Sequence, residues 1–258
     1  MARGDFERAW QWSDLSPNCR YRLEDLAGKR VLLRCEHGLG DTIQFIRYAR
    51  LLRPIAGRIL AHVQPRLLPL IRRLPEVDAA FTWGEPWPRG CYDCEVEIMD
   101  LPYVFRSTLE TLPRDVPYLR VDGVSIERRP GGVGLQWSAG DWDTRRSLPH
   151  AALTPLLDVT ELDIVSLQDG PPSPDVMATA AQIMALDLVI TVDTMVAHLA
   201  GALGKPVWVL LPYESDWRWM LDREDSPWYP TMRLFRQDAR REWLPVVERV
   251  AAELRARS

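Results

Sequence analysis

Residues 187–212 read Asp187-Leu-Val-Ile-Thr-Val-Asp-Thr-Met-Val-Ala-His-Leu-Ala-Gly-Ala-Leu-Gly-Lys-Pro-Val-Trp-Val-Leu-Leu-Pro212, and this stretch decides the fold. Leu188 to Val192 is a continuous apolar, β-branched run, the pattern of a strand covered on both faces. Asp193 and Thr194 stop it and can cap a following helix by accepting from its first free N–H groups. Gly204 ends that helix, and Pro206 opens a second buried run, Val207 to Leu211. The unit is strand, turn, helix, strand. A helix N-terminus at the carboxyl end of a parallel strand offers free N–H groups to an anion, and open α/β sheets bind ligands along that edge. Two readings follow: a phosphate-bearing ligand near Asp193, Thr194 and Met195, or an ordinary β-α-β unit with a well-capped helix.

Outward from this unit the alternation repeats. Apolar runs predict strands over Arg30–Cys35, Arg58–Val63, Val77–Trp83, Cys94–Met99, Val133–Trp137, Asp163–Leu167 and Arg233–Phe235. Helical spacing predicts helices over Thr42–Leu52, Pro65–Leu74, Pro149–Leu157, Asp175–Leu186 and Trp243–Arg255, while the region from Pro86 to Pro117 reads as loop-rich. Phe6, Trp10 and Trp12 stand at roughly helical spacing, ahead of a loop through Pro17-Asn18. The pattern breaks at Glu127-Arg-Arg-Pro-Gly-Gly132 and then restarts. The expected class is α/β: a leading helix and linker over residues 1–20, then two Rossmann-like lobes, 21–125 and 126–258. Each lobe carries a mostly parallel sheet, a cleft lies between them, and the last helix is able to pack back on the first lobe.

The chain of 258 residues has 47% hydrophobic and 26% charged residues, an ordinary globular balance that does not require a disordered or fibrous class. A net charge of −4 gives no bulk attraction to nucleic acid. The apolar runs are strand-sized, so no transmembrane segment is expected, and the N-terminus has no signal-peptide pattern. The expected location is the cytoplasm, with reduced cysteines. Cys91-Tyr-Asp-Cys94 leads into an alternating strand and not a helix, which favours a structural role over a redox or metal one.

Gly38-Leu-Gly-Asp41 occupies in the first half the place that Asp193-Thr194 occupies in the second. Its glycines permit close approach of a ligand to backbone. A dinucleotide loop would want glycine where Ile43 stands and an acid where Gln64 stands, so a nicotinamide-type site is disfavoured. Asp41 has two readings, general base or cap of its own helix. Asp141-Trp-Asp143 has the DxD form that can hold a divalent ion on a diphosphate, although two carboxylates underdetermine a metal site. Arg145 and Arg146 form the better anion candidate, or else a solvated charged loop. His198, one turn after Thr194, could reach a phosphate, tie down Asp193, or be a satisfied interior histidine. No Ser-His-Asp, Cys-His or HExxH arrangement supports hydrolase chemistry.

Glu36-His-Gly-Leu-Gly-Asp-Thr-Ile-Gln-Phe-Ile-Arg-Tyr48, the 187–204 segment and Pro212-Tyr-Glu-Ser-Asp-Trp-Arg-Trp-Met-Leu-Asp-Arg-Glu-Asp-Ser-Pro-Trp-Tyr-Pro-Thr-Met-Arg-Leu-Phe-Arg-Gln237 resemble the glycosyltransferase domain found behind tetratricopeptide repeats in bacteria. That domain is related to the ADP-heptose:lipopolysaccharide heptosyltransferases, glycosyltransferase family 9. The resemblance covers nearly the whole chain, and Gly4 to Trp12 resembles the tail of a last repeat helix. It implies a GT-B fold and inverting, metal-independent transfer from a nucleotide sugar to a glycan or protein hydroxyl. A tetratricopeptide-repeat partner is implied as well.

By position in the motifs, Asp41 matches the base, with Gly38, Leu39, Gly40 and Gln44 on the acceptor-side loop. Thr194, Met195 and Val196 match the helix start that faces the donor diphosphate, and Asp193 and His198 the Asp-Thr-x-x-x-His signature. Arg146, beside Arg145, is the phosphate candidate, while Trp137 and Gln168 stand at strand ends bordering the donor pocket. Two departures fall on the donor lobe: a short Ser138–Thr144 loop, and only Asp169-Gly-Pro-Pro-Ser-Pro174 where relatives carry a further strand and helix. These departures, with the tryptophan-rich segment 208–228 as a source of exposed tryptophans, keep a second reading in view: a non-catalytic GT-B-like module that binds a protein or glycan.

Overall fold

The computed structural model describes residues 1–14, 21–86, 90–140, 143–159, 163–168 and 176–257. Its first half runs α1 (Phe6–Ser13), β1 (Arg30–Arg34), α2 (Leu39–Phe45), α3 (Tyr48–Leu52), β2 (Arg58–Val63), α4 (Leu68–Ile71), β3 (Ala79–Thr82), β4 (Cys94–Glu97) and α5 (Leu101–Val104). The second half runs β5 (Gly132–Gln136), α6 (Thr154–Leu157), β6 (Asp163–Ser166), α7 (Val176–Ala185), β7 (Leu188–Val192), α8 (Met195–Ala202), β8 (Val207–Leu211), β9 (Met232–Arg236) and α9 (Leu244–Arg255). The strands form two separate parallel sheets, in the orders β3-β2-β1-β4 and β6-β5-β7-β8-β9. The fold is two-lobed α/β, as the alternation predicts.

Every expected strand is present, most of them trimmed at the ends, because continuous apolar runs have no stable placement except between two covering layers. The helices depart more. The helix expected over Thr42–Leu52 starts earlier, at Leu39, and divides after Phe45. Ala49 bonds back three residues to Ile46, while the Arg47 side chain takes the Gln44 carbonyl at 2.8 Å. Leu39, Gly40 and Gln44 are therefore helical rather than loop residues, and Gln44 is fully buried. Between Pro65 and Leu74 only Leu68–Ile71 is α-helical, and Pro69 within it withholds an N–H. The segment 150–157 is likewise a 3-10 turn followed by the four-residue α6, which contains Pro155. The region read as loop-rich holds a 3-10 turn, Ile98–Asp100, and α5, too short to show a helical period.

Alternation along the strands of the second sheet separates two apolar layers. Val133, Leu135, Leu188, Ile190, Trp208 and Phe235 face outward under Leu156 of α6 and Val246, Val247, Val250 and Leu254 of α9. Among the described residues, the last helix thus packs on its own sheet. The opposite face belongs to a core shared by both lobes, in which Ile43, Phe45 and Leu33 are continuous with Val196, Leu199, Trp219 and Trp228. The tryptophans at 219 and 228 are fully buried and Trp208 is 6% exposed, so the expectation of exposed tryptophans there is corrected. Different neighbours bury them: Trp228 meets the Phe45 ring edge-on at 5.6 Å, Trp219 stacks on His198 at 5.3 Å, and Trp208 lies 5.3 Å from Phe235.

Helix α8 is buried on nearly every side and built from small residues, Ala197, Ala200, Gly201 and Ala202, which let other elements approach its backbone closely. On its N-terminal turns α2 packs directly against it, with Gly40 beneath the His198 ring. A Cβ built at Gly40 would lie 2.7 Å from His198 Cδ2. Because that ring is buried and hydrogen-bonded, it has no room to yield. Gly40→Ala is expected to destabilise the protein by about 1–3 kcal/mol, the usual scale of overpacking, measured as a lowered urea midpoint. A midpoint equal to the parent's would show that the lobe junction is looser than described.

Candidate functional site at the lobe junction

The strand order puts ligand-accessible crevices where it reverses, between β1 and β4 in the first sheet and between β5 and β7 in the second. At the second, the loops after β5 and β7 meet: Arg146 Nη1 donates to the Asp193 carbonyl at 3.0 Å. Thr194 is the N-cap of α8, its hydroxyl accepting from Val196 N at 3.2 Å, and Thr194 and Met195 are partly exposed. The sequence reading of a capped helix start beside an arginine therefore holds in this geometry. Arg145 points elsewhere, pairing with Asp143 at 2.9 Å and Glu214 at 3.3 Å. Asp143 also caps its own 3-10 turn by accepting from Arg145 N. Asp141, the other half of the DxD triplet, lies outside the described residues, as do residues 169–175.

Gln168 is a tether: its oxygen accepts from Gln136 Nε2 at 3.0 Å and from Ser138 N at 2.8 Å, shaping the loop after β5. Trp137 packs with the outward apolar layer, its ring 6.3 Å from His150. Its side chain continues the Val133, Leu135 face of the strand, opposite the face that carries Asp193.

Asp193 is buried and raised above the usual carboxylate range by that burial, with Arg218 and Arg146 acting in the opposite direction. His198 Nε2 lies 3.9 Å from Asp193 Oδ1, and its Nδ1 lies 3.0 Å from the Tyr229 hydroxyl. Burial, together with Arg218, Arg47 and Arg146, holds the imidazole well below its ordinary pKa and therefore neutral. Nε2–H toward Asp193, with Tyr229 donating to Nδ1, is the tautomer that satisfies both neighbours. His198 is thus an interior residue stacked on Trp219, with ring centroids 5.3 Å apart.

Asp41 realises both of its readings in part. Its Oδ2 accepts from Gly38 N at 2.9 Å, closing the α2 N-terminus, while Oδ1 lies 2.7 Å from Arg218 Nη2. Arg218 went unremarked in the sequence, and it organises the junction. It is buried, and its other nitrogens donate to Asp216 at 2.9 Å and Gln44 Oε1 at 3.0 Å. Burial alone would lower its pKa, but the carboxylates of Asp216, Asp41 and Asp193 outweigh it and raise it. Arg47 is a second buried cation, donating to Trp228 O at 2.6 Å, Pro113 O at 2.8 Å and the Tyr118 hydroxyl at 2.9 Å, between the faces of Tyr118 and Tyr229. The only sequence signal for either arginine was its place among aromatic residues.

No family model matches the chain. Protein FlbA of Caulobacter vibrioides is 29% identical over 295 aligned positions, which cover 93% of this chain and 48% of that protein. The chain therefore spans about half the length of the curated relative it matches. Among solved structures, the ADP-heptose lps heptosyltransferase II of E. coli superposes with a TM-score of 0.62 at 17% identity, covering 88% of this chain and 98% of that one. The glycosyl transferase family 9 protein of Veillonella parvula gives 0.58 at 13%, covering 90% and 99%. E. coli heptosyltransferase WaaC with ADP-2-deoxy-2-fluoro heptose gives 0.57 at 13%, covering 89% and 100%. The fold is that of the family 9 heptosyltransferases. At such identities the likeness is one of fold, and the chemistry has to come from this chain's residues.

At the first sheet's crevice lies a cavity of about 360 Å³, lined in part by Arg34, Glu36, His37, Glu95, Glu97 and Asp100. One arginine faces four carboxylates there, and Arg34 already pairs with Glu36 and with Glu95 at 3.2 Å. Burial, and then the neighbouring Glu36, push Glu97 up to about 7, against the pull of Arg34. A carboxyl with a raised folded-state pKa contributes stability below its unfolded pKa and loses it as pH rises through about 7. Glu97→Gln should therefore unfold at a higher urea concentration than the parent at pH 8, with the gap closing at pH 4. An equal gap at both pH values would rule out titration of Glu97 as its source.

No helix among the described residues is long and apolar enough to cross a membrane. Cys91 and Cys94 are both free thiols, the first exposed and the second buried at the start of β4.

Proposed function

We propose that this chain is an inverting glycosyltransferase that moves a sugar from a nucleotide-sugar donor to a hydroxyl on a glycan or protein. One observation carries the reading: Asp41, at the carboxyl edge of the first sheet, sits on α2 where that helix packs against α8, the helix at the carboxyl edge of the second. A base and a diphosphate site at such a junction are what a displacement at an anomeric carbon requires. The Asp41 carboxylate accepts the acceptor's proton as its oxygen attacks that carbon. The glycosidic bond to the diphosphate breaks, and the electron pair leaves with the phosphate oxygen. The α8 N-terminal N–H groups and Arg146 face the charge that develops there. We assign no metal to this step, since Asp143 is engaged with Arg145 and its own turn. Retention of activity in excess chelator is the expected result.

Donors with an ADP head are the first to test, because fold neighbours were solved with ADP-2-deoxy-2-fluoro heptose and ADP-D-beta-D-heptose. Asp41→Asn should cut turnover by about 10²–10⁴-fold, the range of a general base, without loss of donor binding in calorimetry. Undiminished turnover in that variant would remove Asp41 from the role.

A specific observation favours a second reading, a binding module without catalysis. Both Asp41 oxygens are already engaged, and the lobes share one apolar core across the junction. Failure of every nucleoside diphosphate sugar in a calorimetric panel to bind would select this reading.

A further inference from the structure

Arg218 lies where carboxylates of both lobes converge, and each cation there already has a partner. Asp41 comes from the first lobe, Asp193 and Asp216 from the second, and facing them are Arg218 and Arg146, with Arg47 behind Tyr229 as a third cation. Arg145 is directed outward onto Asp143 and Glu214, and the neutral His198 adds no charge. A diphosphate arriving at the α8 start would meet cations that already have partners, so the partial charge of the helix end has to be supplemented by a cation released from one of them. A guanidinium that changes partner supplies the difference.

Arg218 is placed to do so. Its Nη2 holds Asp41, while the next residue, Trp219, stacks on His198 one turn into α8, with ring centroids 5.3 Å apart. The backbone that carries it is fixed. Arg236 donates to Trp219 O at 3.2 Å and to Met220 O at 2.6 Å, and Met220 sits at φ 52°, a conformation that side-chain-bearing residues seldom adopt. Exchange of partner therefore falls to the Arg218 side chain and leaves the loop in place.

We propose that Arg218 is shared between Asp41 and the donor. Without donor it clamps the Asp41 carboxylate. A bound diphosphate draws the guanidinium off and frees Oδ1 for the acceptor proton. The inference rests on the α8 start being the donor site, and it adds an order of events: donor first, acceptor second.

Competition for one arginine has a sign that a purely structural role lacks. ADP and inorganic pyrophosphate are titrated calorimetrically into the full chain and into Asp41→Asn, Arg218→Met and the double variant, with folding checked by circular dichroism. Asp41→Asn should bind ADP about tenfold more tightly, the scale of one charge-assisted hydrogen bond released for the ligand. Arg218→Met should bind about tenfold more weakly than the parent, and in its background the Asp41→Asn gain should vanish. Should Arg218→Met fail to fold, the sign of the Asp41→Asn effect decides alone. Binding by the parent that is unchanged or weakened in Asp41→Asn overturns the sharing while leaving the donor site intact. Absence of ADP and pyrophosphate binding in both the parent and Asp41→Asn overturns the donor site and the sharing together.

Discussion

The structure depends on one contact, the packing of α2 against α8. Gly40 brings the two backbones close enough for His198 to cover it, and the approach carries Asp41, Gln44 and Arg47 into the boundary between the lobes. Burying two guanidinium groups there costs on the order of several kcal/mol each unless every donor is matched. Arg218 meets that requirement with carboxylates and an amide oxygen, and Arg47 with carbonyls, a phenol and aromatic faces. Loss of the contact would strip Arg218 of Asp41 and Gln44 and Arg47 of the Trp228 carbonyl, so a core of this kind resists partial separation of the lobes.

The same contact explains why the two crevices differ. The one on the second sheet is shaped for an anion, with a capped helix start and Arg146 beside it. The one on the first sheet is a cavity of about 360 Å³ with carboxylates in excess. A parallel sheet directs its free loops to its carboxyl edge, and packing α2 on α8 turns those two edges toward each other.

Much of this was legible in the chain. The strands follow from apolar runs whose only comfortable place is between two layers. The Thr194 cap follows from a hydroxyl at the first turn of a periodic segment. Short helices interrupted by Pro69 or Pro155 did not show their ends, because a four-residue helix has no period to read. Trp208, Trp219 and Trp228 read as surface residues in the sequence and lie inward in the structure, since composition does not tell a core aromatic from a surface one. The place of Trp137 in the outward layer was illegible for a related reason: the face of a strand on which a terminal residue falls depends on register, and one step exchanges the two faces.

The sequence by itself determined two parallel α/β lobes, an anion-ready helix start after β7, and a carboxylate at the head of α2. These are local properties, set by periodicity, capping chemistry and glycine placement within some twenty residues. Only the tertiary structure decided that Asp41 is paired, that His198 is interior and neutral, and that Arg218 and Arg47 hold the junction. Their partners lie far along the chain, Gln44 and Arg218 being 174 positions apart and Arg47 and Trp228 181. No local pattern encodes a contact at such separation. It exists because two lobes, each folded by its own sequence, bury one surface together, and a charge enclosed there has to find its partner across it.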